Sequence, residues 1–282
     1  MWHKKSWYLI GTSVLVAFLV WSQMGMYLVH LFFGVKIQAN FFKFCISLFK
    51  ENTFYYFMVI FLLNVLIAYS FLISIISFIE QYILSKRFIR KLKLHMNKEL
   101  TNEVIKRFKN KDLIVINNKE ALAFTLGISK PLIVLSTGLI EMLELDELEA
   151  VIKHETFHQK NRDPLKLFIL RVITGSLWFI PLTKWSYKNY KIISELSADE
   201  YAINKTGSEL GLSSALFKLI NNCMNKTSAP ILVHFSDESI NFRLQHLLEP
   251  KKSIPLKLET KSLIISIYVL AVLIGFIQVT VT

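Results

Sequence analysis

Five residues near the middle of the chain carry its clearest chemistry: His154-Glu155-Thr156-Phe157-His158. Two histidines four apart on a helix lie about 400° apart at ~100° per residue, so their imidazoles point the same way. That geometry suits a Zn²⁺ ion, which takes neutral histidine nitrogens at about 2.0–2.1 Å. The glutamate after the first histidine then reaches a water beside the metal rather than the metal itself, which is the place of a general base for metal-assisted hydrolysis.

The motif needs a helix, and the flanking residues supply one. Asp146-Glu147-Leu148-Glu149 reads as an N-cap with an acidic residue three positions on. Leu148, Ala150, Val151 and Ile152 provide apolar surface. Asn161-Arg162-Asp163-Pro164 ends the helix, because a residue before proline avoids the α region.

A catalytic zinc takes three protein ligands and keeps one position open. Glu195 is the best candidate for the third. It lies four residues before Asp199, so the two share a helical face. Glu195 is placed to bind the metal and Asp199 to accept a hydrogen bond from a ligating imidazole. Without the upstream histidines the pair would read as a solvated acidic face, as Glu200 does. Upstream, Leu113–Asn117, Ala121–Ile128 and Pro131–Leu135 have strand character, with Gly127 and Pro131 punctuating a turn. An exposed strand there would pair with an extended substrate backbone, or would simply brace the metal helix.

His154-Glu155-x-x-His158, Asn161-Arg162-Asp163-Pro164, Glu195-x-x-Ala198-Asp199 and the Ala123–Ser136 stretch together resemble a membrane-embedded gluzincin. The chain is similar to the metallopeptidase family of the Bla/Mec antibiotic-sensor transducers, and more distantly to the HtpX and CAAX-prenyl-protease family. The resemblance spans roughly residues 110–250. It implies a zincin-like (gluzincin) metallopeptidase domain with one zinc held by His154, His158 and Glu195, with Glu155 as base and Asp199 behind the ligands. Zinc peptidases commonly place a cationic or imidazole donor beside the developing oxyanion, worth ~3 kcal/mol. His234 and Arg243 follow the third ligand and are the candidates, with His246 on the Arg243 helix as a competitor.

Composition points to a membrane. The chain is 53% hydrophobic with a mean hydropathy of +0.42, above an ordinary soluble domain. Residues 7–33, 54–79 and 262–281 are long apolar runs, each enough to cross a bilayer core of about 30 Å. Lys4 and Lys5 precede the first, but its apolar stretch exceeds a signal-peptide core and reads as a retained anchor. Lys86, Arg87, Arg90, Lys91 and Lys93 follow the second run, and Lys251, Lys252, Lys257 and Lys261 precede the third. By the positive-inside rule both clusters lie in the cytoplasm, although Lys36, Lys43 and Lys50 in the outer loop oppose that assignment. The formal net charge of +12 therefore reads as attraction to anionic lipid, and no motif for direct nucleic-acid binding is present.

Residues 165–182 form a fourth apolar stretch. A single crossing would place Glu195 across the bilayer from the histidines, and 36 residues are too few to cross and return. A helical hairpin turning near Trp178-Phe179-Ile180-Pro181 satisfies both limits, either dipping into the interface or buried as a core helix.

The expected architecture is a mainly α membrane protein with a small β-sheet. Residues 1–85 hold two transmembrane helices and a short outer loop, residues 86–260 a cytoplasmic catalytic domain including a hairpin at about 165–205, and residues 261–282 a C-terminal transmembrane helix. The expected partners are a protein or peptide substrate and the lipid bilayer of a bacterial cell. By the resemblance, a transcriptional repressor is one candidate substrate and damaged membrane proteins, as for an HtpX-type protease, are another. A zinc-containing scaffold without proteolysis is a third reading, which the intact Glu155 opposes. The chain ends near the close of its last apolar run, so direct β-lactam sensing is not expected of it.

Overall fold

In the computed structural model, which describes residues 2–36, 40–224, 238–249 and 260–279, the three strand-like runs form one sheet. Leu113–Ile116 (β1) pairs in parallel with Leu132–Ser136 (β3), which pairs antiparallel with Ala123–Leu126 (β2), in the order β1-β3-β2. The β2–β3 connection turns at Gly127, whose φ of +109° and 2.6 Å approach of a built Cβ to the Lys130 carbonyl exclude a side chain.

Strand alternation divides the sheet's apolar residues between two faces. Leu113, Val115, Ile133 and Leu135 pack with Leu139, Leu148, Val151, Ile152 and Ala215. Ile114, Ile116 and Val134 pack with Leu92 on the other face. The edges differ. The β1 edge is covered by the 95–97 segment through Asn97 N–H to Val115 O and Asn117 N–H to His95 O, both 2.8 Å. Among the described residues, no strand pairs with the outer edge of β2.

The helices in chain order are α1 (Trp2–Phe33), α2 (Phe41–Ser47), α3 (Phe54–Leu94), α4 (Lys98–Phe108), α5 (Thr137–Met142), α6 (Leu145–Asn161), α7 (Asp163–Ser176), α8 (Pro181–Thr206), α9 (Glu209–Met224), α10 (Glu238–Leu248) and α11 (Thr260–Val279). The metal helix α6 starts earlier than the sequence suggests. Its N-cap is Glu144 rather than Asp146, in a reciprocal capping box with Glu147. Asp146 loses that place because Leu145 and Asp146 already lie in the first turn, where Glu147 is the residue able to reach back to the Glu144 N–H. At the other end Arg162 adopts φ 53°, and Pro164 sits in the first turn of α7, where a missing N–H costs nothing.

The chain divides into two compact units. One contains residues 1–6, 80–168 and 189–256, and so holds the sheet, α4–α6, α9, α10 and parts of α3, α7 and α8. The other contains residues 7–79, 169–188 and 257–282. Its core joins Val16, Ala17, Val20, Met24 and Tyr27 of α1 to Phe42 of α2, Ile67 of α3, and Ile173, Leu177 and Ile180 around the α7–α8 turn. Residues 169–188 therefore pack among the long apolar helices, with Ser70 Oγ donating to Ser176 O at 3.1 Å and Leu182 N–H to Ser266 Oγ at 3.0 Å. The α1 segment Lys5–Phe33 and α3 are each long and apolar enough to cross a membrane. Phe18, Phe57, Phe61, Leu72 and Ile264 are exposed on that unit, as lipid-facing side chains would be. The short helix α2, capped by Asn40 and tied to α1 through Gln23, was not evident from sequence.

Candidate metal centre

α6 presents His154, Glu155 and His158, all buried, and α8 presents Glu195 and Asp199. His154 Nε2 and His158 Nε2 lie 3.1 Å apart. Glu195 Oε2 is 3.4 Å from His154 Nε2, and Glu195 Oε1 is 3.6 Å from His158 Nε2. Four ligands at about 2.0–2.1 Å in a tetrahedron sit about 3.3 Å apart, so these three atoms have the spacing of metal ligands.

The other ring nitrogens are also engaged. His154 Nδ1 lies 2.9 Å from Asp199 Oδ1, and His158 Nδ1 lies 2.7 Å from Asp163 Oδ2. With each Nδ1 turned to a carboxylate, both Nε2 lone pairs face each other and a third acceptor. Buried lone pairs directed at one another are unfavourable unless a cation or proton lies between them. The residues therefore fit a divalent metal. Without one, a proton is drawn in: burial and Arg243 push the His154 pKa down, but Asp199 and Glu195 outweigh them and raise it to about 9. Burial opposes charge on Glu195 too, yet the two histidines and Arg243 hold its carboxyl far below the usual range.

Arg243 on α10 closes the group from a third element. Its Nε and Nη2 donate to Asp199 Oδ2 and Oδ1 at 2.8 and 2.7 Å, and Nη1 is 3.2 Å from Glu195 Oε2. The guanidinium is thus a clamp on two carboxylates. His234, the other donor candidate, lies outside the described residues. Glu200 is exposed on the far side of α8.

Two partners were not singled out from sequence. Asp163 appeared there only as a helix terminator; the left-handed turn at Arg162 swings it back onto His158. Thr125 of β2 donates from Oγ1 toward Glu155 Oε2 at 2.8 Å and Glu155 O at 3.0 Å. Only the x-x-x-x-Asp spacing after His158 could have flagged Asp163, and Thr125 had no local signal.

Two buried histidines and a partly exposed glutamate, with an adjoining buried glutamate, in a mostly helical chain bearing long apolar helices, define the class of membrane metallopeptidases. Residues 2–247 match the family described as BlaR1 peptidase M56, and the chain belongs to that family. It is similar to the regulatory protein BlaR1 of Bacillus licheniformis, at 30% identity over 34% of this chain and 20% of that protein. It is also similar to the protease HtpX homolog of Pyrococcus abyssi (strain GE5 / Orsay), at 36% identity over 23% of each chain. The matched stretches thus cover under a quarter of either relative.

Proposed function

We propose that this chain is a membrane-anchored, zinc-dependent endopeptidase of the HExxH gluzincin type, with a zincin-like catalytic domain on the cytoplasmic side. The observation that carries the reading is the convergence of His154 Nε2, His158 Nε2 and the Glu195 carboxylate at 3.1–3.6 Å, with both Nδ1 atoms already facing carboxylates. Zinc bound there supplies Lewis-acid polarisation of a water and of the scissile carbonyl.

The chain's own residues do the rest. Glu155, oriented by Thr125, takes the water proton and delivers it to the leaving amine. Asp163 and Asp199 fix the tautomers of the ligating imidazoles. Arg243 neutralises Asp199 and Glu195, and His234 or Arg243 is the proposed oxyanion donor. The free edge of β2, beside the base through Thr125, would hold the substrate as an added strand.

The substrate class is a cytoplasmic or membrane-proximal protein cut in regulatory signalling, with inactivation of a transcriptional repressor as the specific form. The likeness to the HtpX homolog supports a second reading, clearance of damaged membrane proteins. A single cut in one cytoplasmic protein would favour the first, and many cuts in misfolded membrane proteins the second.

The test is zinc content and casein or self-cleavage of detergent-purified chain, wild type beside Glu155→Gln and His154→Ala. One zinc in wild type and Glu155→Gln, with cleavage in wild type alone, is expected. Cleavage by zinc-loaded Glu155→Gln would sink the assignment, and absence of zinc from folded wild type would sink the site.

A further inference from the structure

The carboxylate behind His158 belongs to a longer buried chain of hydrogen bonds. Asp163 is 2% exposed and accepts at Oδ1 from the Tyr190 hydroxyl and from Asn161 Nδ2 at 2.7 Å, while Oδ2 faces His158. Lys166 Nζ in turn donates to Asn161 Oδ1 at 2.6 Å. Tyr190 is fully buried on α8, five residues before the third candidate ligand.

The Tyr190 hydroxyl gives its single proton to Asp163. A phenol has one donor position, so that proton is committed to the carboxylate behind His158. Tyr190 of α8 is therefore joined to the metal site through Asp163 and His158.

We infer that Tyr190 is a positioning residue for the metal centre, holding Asp163 and through it the His158 imidazole. The inference rests on the metal reading above. The physical reason is orientation. An Asp163 carboxylate with only Asn161 and His158 as partners can rotate about its terminal torsion, which is broad and two-fold. A rotated carboxylate no longer fixes the His158 tautomer, and partners in that position typically govern 10–100-fold in metal affinity.

The experiment is zinc affinity of the detergent-purified full chain, by competition with a chromophoric chelator, for wild type and Tyr190→Phe. Melting of each metal-free protein is recorded alongside. Tyr190→Phe keeps the ring and removes only the hydroxyl. It should weaken zinc about 10–100-fold, with little change in metal-free melting.

Unchanged zinc affinity in Tyr190→Phe overturns the proposal. A lowered metal-free melting point with wild-type affinity marks a merely structural role and also overturns it. Wild type that takes up no zinc overturns the metal reading itself, an outcome distinct from tight wild-type binding that ignores Tyr190.

Discussion

Asp163 Oδ2 lies 2.7 Å from His158 Nδ1, across the left-handed turn at Arg162 that separates α6 from α7. The turn that ends the metal helix thus also delivers the carboxylate that orients its second histidine. On the other side, Asp199 performs the same service for His154 from α8. The two imidazoles are held from opposite ends by different elements, and both Nε2 atoms are left for one shared occupant.

Metal loading should expel protons. In the metal-free protein burial and Arg243 oppose charge on His154, but Asp199 and Glu195 prevail and hold its pKa at about 9. His158 is raised as well, by Asp163 and Glu195 against burial. A raised folded-state pKa stabilises the metal-free protein fully below the unfolded value of about 6.5, and that stability is lost as pH rises through about 9. Zinc requires neutral nitrogens, so its affinity should fall as pH is lowered. Calorimetric titration at pH 7 in buffers of different ionisation enthalpy should show release of about one proton or more per zinc. Buffer-independent heats would contradict it.

Arg243→Met should be strongly destabilising. Asp199 is fully buried, and the variant strips away its two-pronged partner. Breaking a buried pair on one side costs about 3–5 kcal/mol. Arg243→Lys should recover only part, because an ammonium cannot reproduce the fork on Asp199. Chemical denaturation would measure both. The double change Arg243→Met with Asp199→Asn should cost less than the sum of the single changes, and strict additivity would refute the coupling.

Glu147 should govern acid stability of the metal helix. Burial pushes its pKa up, but Lys218, Ser214 and the Glu144 N–H together hold it below the ordinary value. Its contribution is thus present above about pH 4.3 and lost as pH falls through the lowered folded value. Glu147→Ala should cost about 1–2 kcal/mol at neutral pH through loss of the capping box and its α9 partners. The gap between wild type and variant should narrow from pH 7 to pH 4. A gap that widened on acidification would reverse the assigned sign.

Features encoded by short-range spacing were readable in the sequence. The His154/His158 pair and the Glu195/Asp199 pair follow from four-residue spacing alone, and β1, β2 and β3 lie within or one residue beyond the expected runs. The helix break at 177–180 falls at Trp178-Phe179-Ile180-Pro181, where proline starts the next helix. Relationships made by chain reversal or tertiary contact were not readable. Asp163 reaches His158 only because Arg162 takes a left-handed conformation that no side-chain pattern announces. Thr125 meets Glu155 from a strand 30 residues earlier, and Tyr190 meets Asp163 from 27 residues further along the chain. The N-cap shifted to Glu144 because Glu144 and Asp146 each have an acidic residue three positions on, and only geometry chooses between them.

The uncovered edge of β2 is four residues long, about 13 Å of backbone. Such a ledge grips peptide groups, which every protein shares, and leaves few pockets with which to tell one sequence from another. A protease built on it would take its choice of target from delivery: whatever is brought to the ledge in extended form is cut. Selectivity would then reside in address and unfolding rather than in a recognition code.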